Sequence, residues 1–267
     1  MKITSPAIPF DSVVVVIGAN GYIGVETCEK VLQAGFRARG TVRDVQKNQW
    51  MHKLFDERWP GKFELVRVED FEVDGAFDEA FRGAAGVIYV STPILFRTDP
   101  STVIDPIVRG TLNTLAAAAR AGVRRYVLSS SSKAVEDTVL NAPHELTAET
   151  FNRPALARAR ESYYDSAADA QRALTVYCAS RTAAELAFWD WLRDNNPPFV
   201  ANAVVPDGNF GRALGAPYVD AGAASSVGML RRALAGEREG VIPHVGALNH
   251  GFFFFSFFVY LCMGAVL

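Results

Sequence analysis

The sequence is poor in cysteine and carries no surplus of basic residues. Its three cysteines, Cys28, Cys178 and Cys262, form no CxxC pair. This argues against a disulfide framework and favours small buried thiols in a reducing, cytoplasmic compartment. Lysine and arginine together number 27 against 29 aspartates and glutamates, so no cationic excess is present to neutralise a nucleic-acid backbone. The four histidines lack ligand spacing with one another or with cysteine, and we expect neither nucleic acid nor a metal ion as a partner.

The two ends of the chain differ in character. Near the start, the apolar run Val13–Ile17 follows Asp11 and is shorter than the hydrophobic region of a signal peptide, so we expect no secretion. At the other end, residues 240–267 contain no aspartate, glutamate, lysine or arginine, and residues 251–267 include six phenylalanines. This tail is slightly shorter than the roughly 20 residues that a membrane-spanning helix needs. It is either a stretch that is not native, such as a translated intron, or a native tail. A native tail either anchors the protein to a membrane or exposes an apolar patch that causes association.

Short runs rich in valine and isoleucine alternate with longer stretches whose apolar residues recur three and four positions apart. This alternation predicts strands joined by helices. The predicted strands cover residues 13–17, 37–42, 63–68, 86–90, 125–129 and 200–205, and the predicted helices cover residues 22–33, 45–57, 75–81, 102–121 and 177–195. Because the first run is apolar at every position, it must be buried on both faces. We therefore predict an α/β fold with a doubly wound parallel sheet of the Rossmann type.

Three glycines with the spacing GxxGxxG follow the first predicted strand and open the first predicted helix. They are Gly18, Gly21 and Gly24. Between a strand and a helix, the first allows a tight turn, the second lets a pyrophosphate approach the backbone, and the third allows close helix packing. The N-terminus of the helix offers amides and the positive end of its dipole to phosphate. The pattern predicts a dinucleotide site; a glycine-rich turn without a ligand is the alternative.

The residues after the second predicted strand distinguish the two nicotinamide dinucleotides. A carboxylate there binds the ribose 2'-hydroxyl of NAD, whereas an arginine accommodates the 2'-phosphate of NADP. This chain has Arg43 first, with Asp44 and Lys47 after it. A guanidinium can bind phosphate oxygens through two parallel charge-assisted hydrogen bonds. We therefore predict NADP(H), held mainly by Arg43 with help from Lys47; a solvated arginine at a strand end is the alternative.

Six short motifs are spread along the chain. They are GANGYIG at 18–24, RGTVRD at 39–44, STP at 91–93, GTLNTL at 110–115, the serine run at 129–132 and YCASR at 177–181. Together they resemble an extended short-chain dehydrogenase/reductase. The similarity runs from about residue 10 to about residue 215 and is greatest to the dihydroflavonol-reductase-like branch, which includes fungal NADPH-dependent aldehyde and ketone reductases.

The resemblance implies which residues contact the cofactor. The pyrophosphate would lie on the glycine loop and the 2'-phosphate on Arg43, while the adenine, the nicotinamide ribose and the nicotinamide would meet residues from later loops. The implied contacts are Gly18, Asn20, Gly21, Tyr22, Ile23 and Gly24 in the loop, Asp70 and Phe71 at the adenine, Val90, Ser91 and Thr92 at the ribose, and Pro206 at the nicotinamide.

Reduction of a carbonyl group needs a hydride and a proton donor whose pKa lies near the working pH. A free tyrosine phenol has a pKa of about 10, and lowering it by about three units takes roughly 4 kcal/mol of preferential phenolate stabilisation. A cation one helical turn away supplies part of this. Family members use YxxxK, whereas this chain has Tyr177 and Arg181. Because arginine presents a planar fork in place of a compact ammonium, Arg181 either supports turnover or leaves a protein that only binds NADP.

The resemblance also implies a serine that hydrogen-bonds the substrate oxygen. Ser131 matches it, with Ser130 and Ser132 as alternatives. The residues expected to wall the substrate pocket are Pro93, Ile94, Phe96 and Phe210. The sequence thus predicts an NADPH-dependent reductase of small aldehydes or ketones. The alternatives are a non-catalytic NADP-binding regulator and a membrane-tethered dehydrogenase of lipid-like alcohols.

No linker, internal repeat or long charged block divides the chain. We predict an NAD(P)-binding domain over residues 1–205, with an excursion over about residues 136–176 that contains one helix. A partial substrate lobe over residues 206–250 and the apolar tail over residues 251–267 follow. Because the related reductases continue well beyond this length, we expect the substrate lobe in this chain to be incomplete.

Overall fold

The centre of the fold is a six-stranded sheet in which all strands are parallel, in the order β3-β2-β1-β4-β5-β6. This computed structural model describes residues 4–90, 97–137, 143, 145–161, 169–215, 228, 232, 234–236 and 253–254. The strands are β1 (Val13–Ile17), β2 (Arg37–Val42), β3 (Phe63–Arg67), β4 (Ala84–Tyr89), β5 (Arg125–Ser129) and β6 (Val200–Val204).

Helices cover both faces of the sheet. They are α1 (Tyr22–Gln33), α2 (Trp50–Phe55), α3 (Asp78–Phe81), α4 (Ile104–Arg120), α5 (Ser132–Val135), α6 (Arg153–Arg160) and α7 (Asp169–Asn195). Alternate residues of β1 are buried in different clusters, because successive side chains of a strand point to opposite faces. Val14 and Val16 pack with residues of α1 and α2, whereas Val15 and Ile17 pack with residues of α3, α4 and α7. The predicted doubly wound sheet is therefore confirmed.

The strand predictions are confirmed closely, whereas the helix predicted over residues 45–57 is confirmed only in part, because it is divided. A 3-10 turn (Gln46–Asn48) is followed by the short helix α2. Asp44 explains the break, since its carboxylate accepts the Lys47 backbone N–H at 3.1 Å and its carbonyl accepts the Asn48 side-chain amide at 2.7 Å. These bonds draw the chain into a tight turn before the helix.

The helix predicted over residues 75–81 also starts late, at Asp78. Gly75 has a φ of +76°, which lies in the left-handed region and cannot continue a right-handed helix. The opposite error occurs in α7, which begins at Asp169, well before the predicted start at Tyr177. Tyr177 therefore lies inside this helix and not at its beginning.

The excursion between β5 and β6 contains more helix than predicted. One complete helix, α6, lies inside the predicted excursion, as expected, and the first residues of α7 extend into it as well. Ala155 and Ala159 of α6 are buried together with Cys178 and Ala179 of α7. Small side chains at these positions allow the two helices to approach closely, so α6 is part of the packed structure.

Little of the predicted substrate lobe and tail falls within the described residues. The two-residue strand β7 (Asn209–Phe210) pairs in parallel with β8 (Phe253–Phe254). The boundaries of the lobe and tail stay a prediction. In the parts of the chain that the structure describes, no helix has both the length and the hydropathy to cross a membrane.

Candidate active site

The glycine loop leaves the carboxyl end of β1 and is fixed to the end of β2. Gly18 has a φ of +78°, a conformation that favours glycine. Its N–H donates to Thr41 Oγ1 at 3.2 Å, and the Ala19 N–H donates to the Thr41 carbonyl at 3.1 Å. The turn then closes through a bond of 3.0 Å from the Gly21 N–H to the Gly18 carbonyl. Thr41, which the sequence analysis did not single out, therefore shapes the loop.

Helix α1 starts directly on this loop because Gly24 has no side chain. A Cβ atom at Gly24 would lie 2.1 Å from the Gly18 carbonyl oxygen and 2.8 Å from that of Ala19. The helix begins after Gly21 with neither a side-chain cap nor an acidic residue in its first turn. Its first amides and its dipole are thus left for an external anion. This arrangement fits a pyrophosphate.

Arg39 and Arg43 have different roles. Arg39 is engaged by protein groups, since it donates to Glu64 Oε1 at 2.7 Å and to the Arg82 carbonyl at 2.7 Å. Arg43, at the carboxyl end of β2, is exposed. Arg43, just after the strand, therefore offers its guanidinium at the site edge, whereas Arg39 does not.

Asp44 is engaged within its own turn. The backbone N–H of Lys47 and the Lys47 ammonium, whose Nζ lies 3.7 Å from Asp44 Oδ2, lower the pKa of the Asp44 carboxyl below its usual value. The Lys47 side chain is 83% exposed. Asp44 thus serves as a turn acceptor, and the charge of Lys47 is partly compensated by it.

The predicted adenine residues follow β3. Asp70 is exposed, and its Oδ1 accepts the Glu72 N–H at 2.9 Å. The Phe71 ring lies against α4, where a Cβ atom at Gly110 would lie 1.9 Å from Phe71 Cδ2. The Asn113 side-chain amide donates to the carbonyl of Phe71 at 3.1 Å and to that of Glu72 at 2.7 Å. Phe71 is therefore held in place by α4.

Three further predicted contacts lie at or next to the same sheet edge. Val90, after β4, donates its N–H to the Ile17 carbonyl at 3.4 Å. Tyr22 donates its hydroxyl to the Gly211 carbonyl at 2.7 Å, and burial raises the pKa of its phenol. Pro206 is buried after β6. The predicted contacts that lie outside the described residues are Ser91, Thr92, Pro93, Ile94 and Phe96.

The three candidate serines follow β5 and have different partners. Ser130 donates its hydroxyl to the carboxylate of Glu185, and Ser132 donates its hydroxyl to Asp207 Oδ1 at 2.9 Å. Ser131 caps α5, with its Oγ accepting the Lys133 N–H at 3.2 Å. Within the described ranges, Ser131 is thus the candidate whose hydroxyl hydrogen is not given to a carboxylate.

The main chain of this serine turn is bonded to the segment after β6. The Ser130 N–H donates to the Val204 carbonyl and the Ser132 N–H donates to the Pro206 carbonyl, each at 2.8 Å. These bonds continue the parallel ladder between β5 and β6 beyond its last pair. Ser131 therefore lies between two fixed backbone positions.

Tyr177 and Arg181 lie one helical turn apart on α7. Tyr177 is half-buried, whereas Arg181 is only 6% exposed. The Arg181 guanidinium donates through Nη2 to the Ser129 carbonyl at 3.0 Å, and its buried Nε has no hydrogen-bond partner in the described parts of the chain. A buried donor without a partner costs about 1–3 kcal/mol. A hydroxyl of a bound ribose would satisfy such a donor.

The site thus collects at the carboxyl ends of β1, β2, β4 and β5. Ligands of doubly wound sheets bind where the strand order reverses, and here that point lies between β1 and β4. Sequence reasoning missed Glu185 and Asp207. Glu185 repeats the four-residue step from Tyr177 to Arg181, a spacing that could have indicated it; Asp207 gave no comparable signal.

The sequence model of the NmrA-like family matches residues 10–149, more than half of the chain. The chain belongs to the NmrA-like family. Two curated relatives of this NmrA-like protein agree with its predicted place among the extended short-chain dehydrogenases/reductases, which is confirmed. Aldehyde reductase 2 of Sporidiobolus salmonicolor is 37% identical over 215 residues, covering 79% of the chain and 61% of the relative. Ketoreductase nvfG of Aspergillus novofumigatus is 30% identical over 229 residues, covering 84% and 66%.

Solved structures agree with the fold of this NmrA-like protein. The crystal structure of yeast methylglyoxal/isovaleraldehyde reductase Gre2 complexed with NADPH gives a TM-score of 0.68 at 24% identity, covering 82% of the chain and 64% of that structure. This likeness confirms the Rossmann-type sheet. The chain spans about three fifths to two thirds of the length of the relatives and structures it matches.

Proposed function

We propose that this NmrA-like protein is an NADPH-dependent reductase of aldehydes or ketones. The observation that carries the proposal is the placement of Tyr177 and the buried Arg181 on α7, with Arg181 bonded to the serine turn. The glycine loop opens at the same edge of the sheet. The names of the relatives, an aldehyde reductase and a ketoreductase, support the same class of reaction.

The cofactor is held by groups of the chain that already match a phosphate-bearing dinucleotide. The uncapped N-terminus of α1 receives the pyrophosphate, with Gly21 and Gly24 leaving room for it. The exposed guanidinium of Arg43 binds the 2'-phosphate. Its position at the end of β2 favours NADPH over NADH, as does the NADPH in the Gre2 structure. When bound, NADPH supplies the hydride for the carbonyl carbon.

Three side chains of the protein orient the carbonyl oxygen of the substrate and supply its proton. Ser131 donates its hydroxyl to the oxygen and so orients it. Tyr177 gives the proton from its phenol as negative charge develops on that oxygen. The buried charge of Arg181 stabilises the phenolate that remains. Its Nε, which has no partner among the residues that the structure describes, hydrogen-bonds a ribose hydroxyl. The small carbonyl substrate lies against apolar residues that include Phe210.

One observation favours a second function, that of a non-catalytic NADP-binding regulator. The guanidinium of Arg181 gives one of its N–H groups to the Ser129 carbonyl, so part of the fork is used by the protein itself. A lysine ammonium is smaller and would have all three donors on one atom. If this difference displaces the ribose, NADPH binds without reduction of the substrate.

Following NADPH oxidation with a panel of aldehydes and ketones tests the proposal. We expect turnover by the wild-type chain, a loss of about 100-fold or more in kcat for Tyr177→Phe, and unchanged NADPH binding in that variant. Tyr126→Phe is the control, because it removes a phenol that is buried against Thr114 away from the site. Turnover that appears only in Arg181→Lys, with both proteins binding NADPH, would establish the regulator instead.

A further inference from the structure

The face of α7 that carries Tyr177 and Arg181 continues with a buried acid. Glu185 lies one turn after Arg181 and is 5% exposed. Its Oε2 accepts the hydroxyl of Ser130, which is itself buried, and its Oε1 accepts the indole N–H of Trp189 at 3.4 Å. In the described parts of the chain, Glu185 forms no ion pair. A buried carboxylate is thus held by two neutral donors.

Two charged residues of α7 hold two consecutive residues of the serine turn, Ser129 and Ser130. Arg181 donates to the carbonyl of Ser129, and Glu185 accepts from the hydroxyl of Ser130. The cation and the anion therefore fix the main chain and the side chain immediately before Ser131. On the other side, the turn is bonded to the segment after β6 through the N–H of Ser130 and that of Ser132.

We infer that Glu185 is a positioning residue, which fixes the Ser130 hydroxyl and thereby sets the place of Ser131 relative to Tyr177. The inference rests on the proposed function. Tyr177 and Glu185 belong to the same helix, α7. The hydrogen bond from Ser130 to Glu185 therefore fixes the distance between Ser131 and the helix that carries the proton donor. Misplacement of a catalytic group by about 1 Å can cost about 100-fold in rate.

Stability alone gives no account of a carboxylate at this position. Removing a carboxylate from water costs several kcal/mol, and neutral donors compensate this less well than a cation does. A neutral side chain of similar shape would accept the same hydroxyl at a lower desolvation cost. The carboxylate differs in making a stronger bond to the hydroxyl, and a stronger bond restricts the turn more tightly.

Steady-state kinetics on Glu185→Ala, Glu185→Gln and Ser130→Ala test the inference. We expect kcat to fall about 10- to 100-fold in Glu185→Ala and in Ser130→Ala, with the NADPH dissociation constant changed by less than about twofold. Glu185→Gln keeps an oxygen that accepts from Ser130 but forms a weaker bond, so it should recover only part of the lost kcat. Tyr126→Phe is the matched control, since it also removes a buried hydroxyl bond from a residue of β5.

The inference is overturned if the two alanine variants lose no more kcat than Tyr126→Phe, or if kcat and NADPH affinity fall in parallel. It is also overturned if Glu185→Gln is as slow as Glu185→Ala. Should Glu185→Ala fail to fold, Ser130→Ala and Glu185→Gln decide the question in the same way.

Hydrogen exchange separates this inference from the proposed function. We expect faster exchange of the backbone amides of residues 130 and 132 in Ser130→Ala and Glu185→Ala, with no change at the Val127 amide in the middle of β5. A wild-type chain that binds NADPH without turnover defeats the proposed function. In that case exchange alone decides the inference, and unchanged exchange at the turn overturns it.

Discussion

Arg181 shows how one side chain changes the chemistry available to a site. Its charge is retained relative to the lysine of the YxxxK motif, but its donors are spread over a planar fork. One end of that fork is bonded to the Ser129 carbonyl, and the buried Nε is left without a partner in the described residues. The guanidinium is thus bonded to the end of β5 through Nη2 and keeps a separate donor, Nε, for another group. A lysine ammonium has all its donors on one atom.

The proposed contact between Arg43 and the 2'-phosphate can be tested by replacing this one side chain. Arg43→Ala should weaken NADPH binding by about tenfold or more, because a charge-assisted pair with the 2'-phosphate contributes about 1.5–3 kcal/mol. NADH binding should stay unchanged, since NADH lacks that phosphate. Nucleotide fluorescence titrations at several salt concentrations measure both constants, and the loss should shrink as salt rises.

Lys53→Ala is the matched control for Arg43→Ala. Lys53 is an exposed cation on α2 in the same part of the molecule, so its removal causes the same change in net charge. Equal losses of NADPH affinity in the two variants would mean that only the general field of the surface attracts the nucleotide. Equal losses for NADPH and NADH in Arg43→Ala would contradict the assigned phosphate contact.

At the scale of the element, α6 and α7 form a helical unit beside the sheet. Asn152 caps α6 by accepting the Ala155 N–H at 3.1 Å, and it is only 2% exposed. Arg172 of α7 donates to the carbonyls of Arg158 and Ala159, each at 2.8 Å, and so satisfies the other end of α6. Burial raises the pKa of the Cys178 thiol between the two helices to about 11, which keeps it protonated and unreactive near neutral pH.

The cap predicts a loss of stability when Asn152 is replaced. Its side-chain amide also donates to the Lys133 carbonyl at 3.2 Å and to Asp137 Oδ1 at 2.9 Å. Asn152→Ala should therefore lower the free energy of unfolding by about 2 kcal/mol, the sum of a lost cap and lost buried hydrogen bonds. Urea denaturation measures the change.

Asn195→Ala provides the comparison for the Asn152 prediction. Asn195 also bonds through its side-chain amide, to the Trp191 carbonyl at 2.9 Å, but it is exposed. Its loss should cost less than about 0.5 kcal/mol. If both variants unfold at the same urea concentration, burial of the cap does not matter for stability.

In the molecule as a whole, two buried carboxylates of α1 bind an arginine of the segment that follows β7. Glu26 and Glu29 of α1 are 2% and 1% exposed. Lys30 approaches Glu26 at 3.2 Å, Arg58 contacts Glu29, and Arg212 reaches Glu29 at 2.7 Å and Glu26 at 3.5 Å. The two acids thus receive cations from three separate parts of the chain.

Arg212→Ala should destabilise the protein more than the exposed position of its side chain suggests. Two buried carboxylates would lose one of their cations, and we expect a cost of about 1–3 kcal/mol. We also expect faster proteolysis of residues 207–215, because the contact from this segment to α1 is removed. Thermal unfolding and limited proteolysis measure the two effects.

Arg193→Ala is the control for the Arg212 prediction. Arg193 bridges Asp190 at 2.8 Å and Asp194 at 3.1 Å, and all three side chains are exposed. Exposed ion pairs contribute about 0–1 kcal/mol, so this variant should remain close to the wild type. A similar loss in both variants would show that the buried acids do not depend on Arg212.

Sequence patterns were sufficient to predict the sheet, the glycine loop and the placement of Tyr177 and Arg181 on one helix face. Each of these is encoded locally: a strand buried on both faces is apolar at every position, a phosphate loop needs glycine at fixed spacing, and residues four apart share a helix face. For the same reason, the predicted bounds of β1, β2 and β5 agree with the structure.

Contacts between residues that lie far apart in the chain could be identified only from the folded structure. Arg181 meets the Ser129 carbonyl, Glu185 takes the hydroxyl of Ser130, and Asp207 takes that of Ser132. These contacts single out Ser131 among the serines. Periodicity states which face of an element is buried but not which distant residue lies opposite it, because that depends on how the helices and strands pack together.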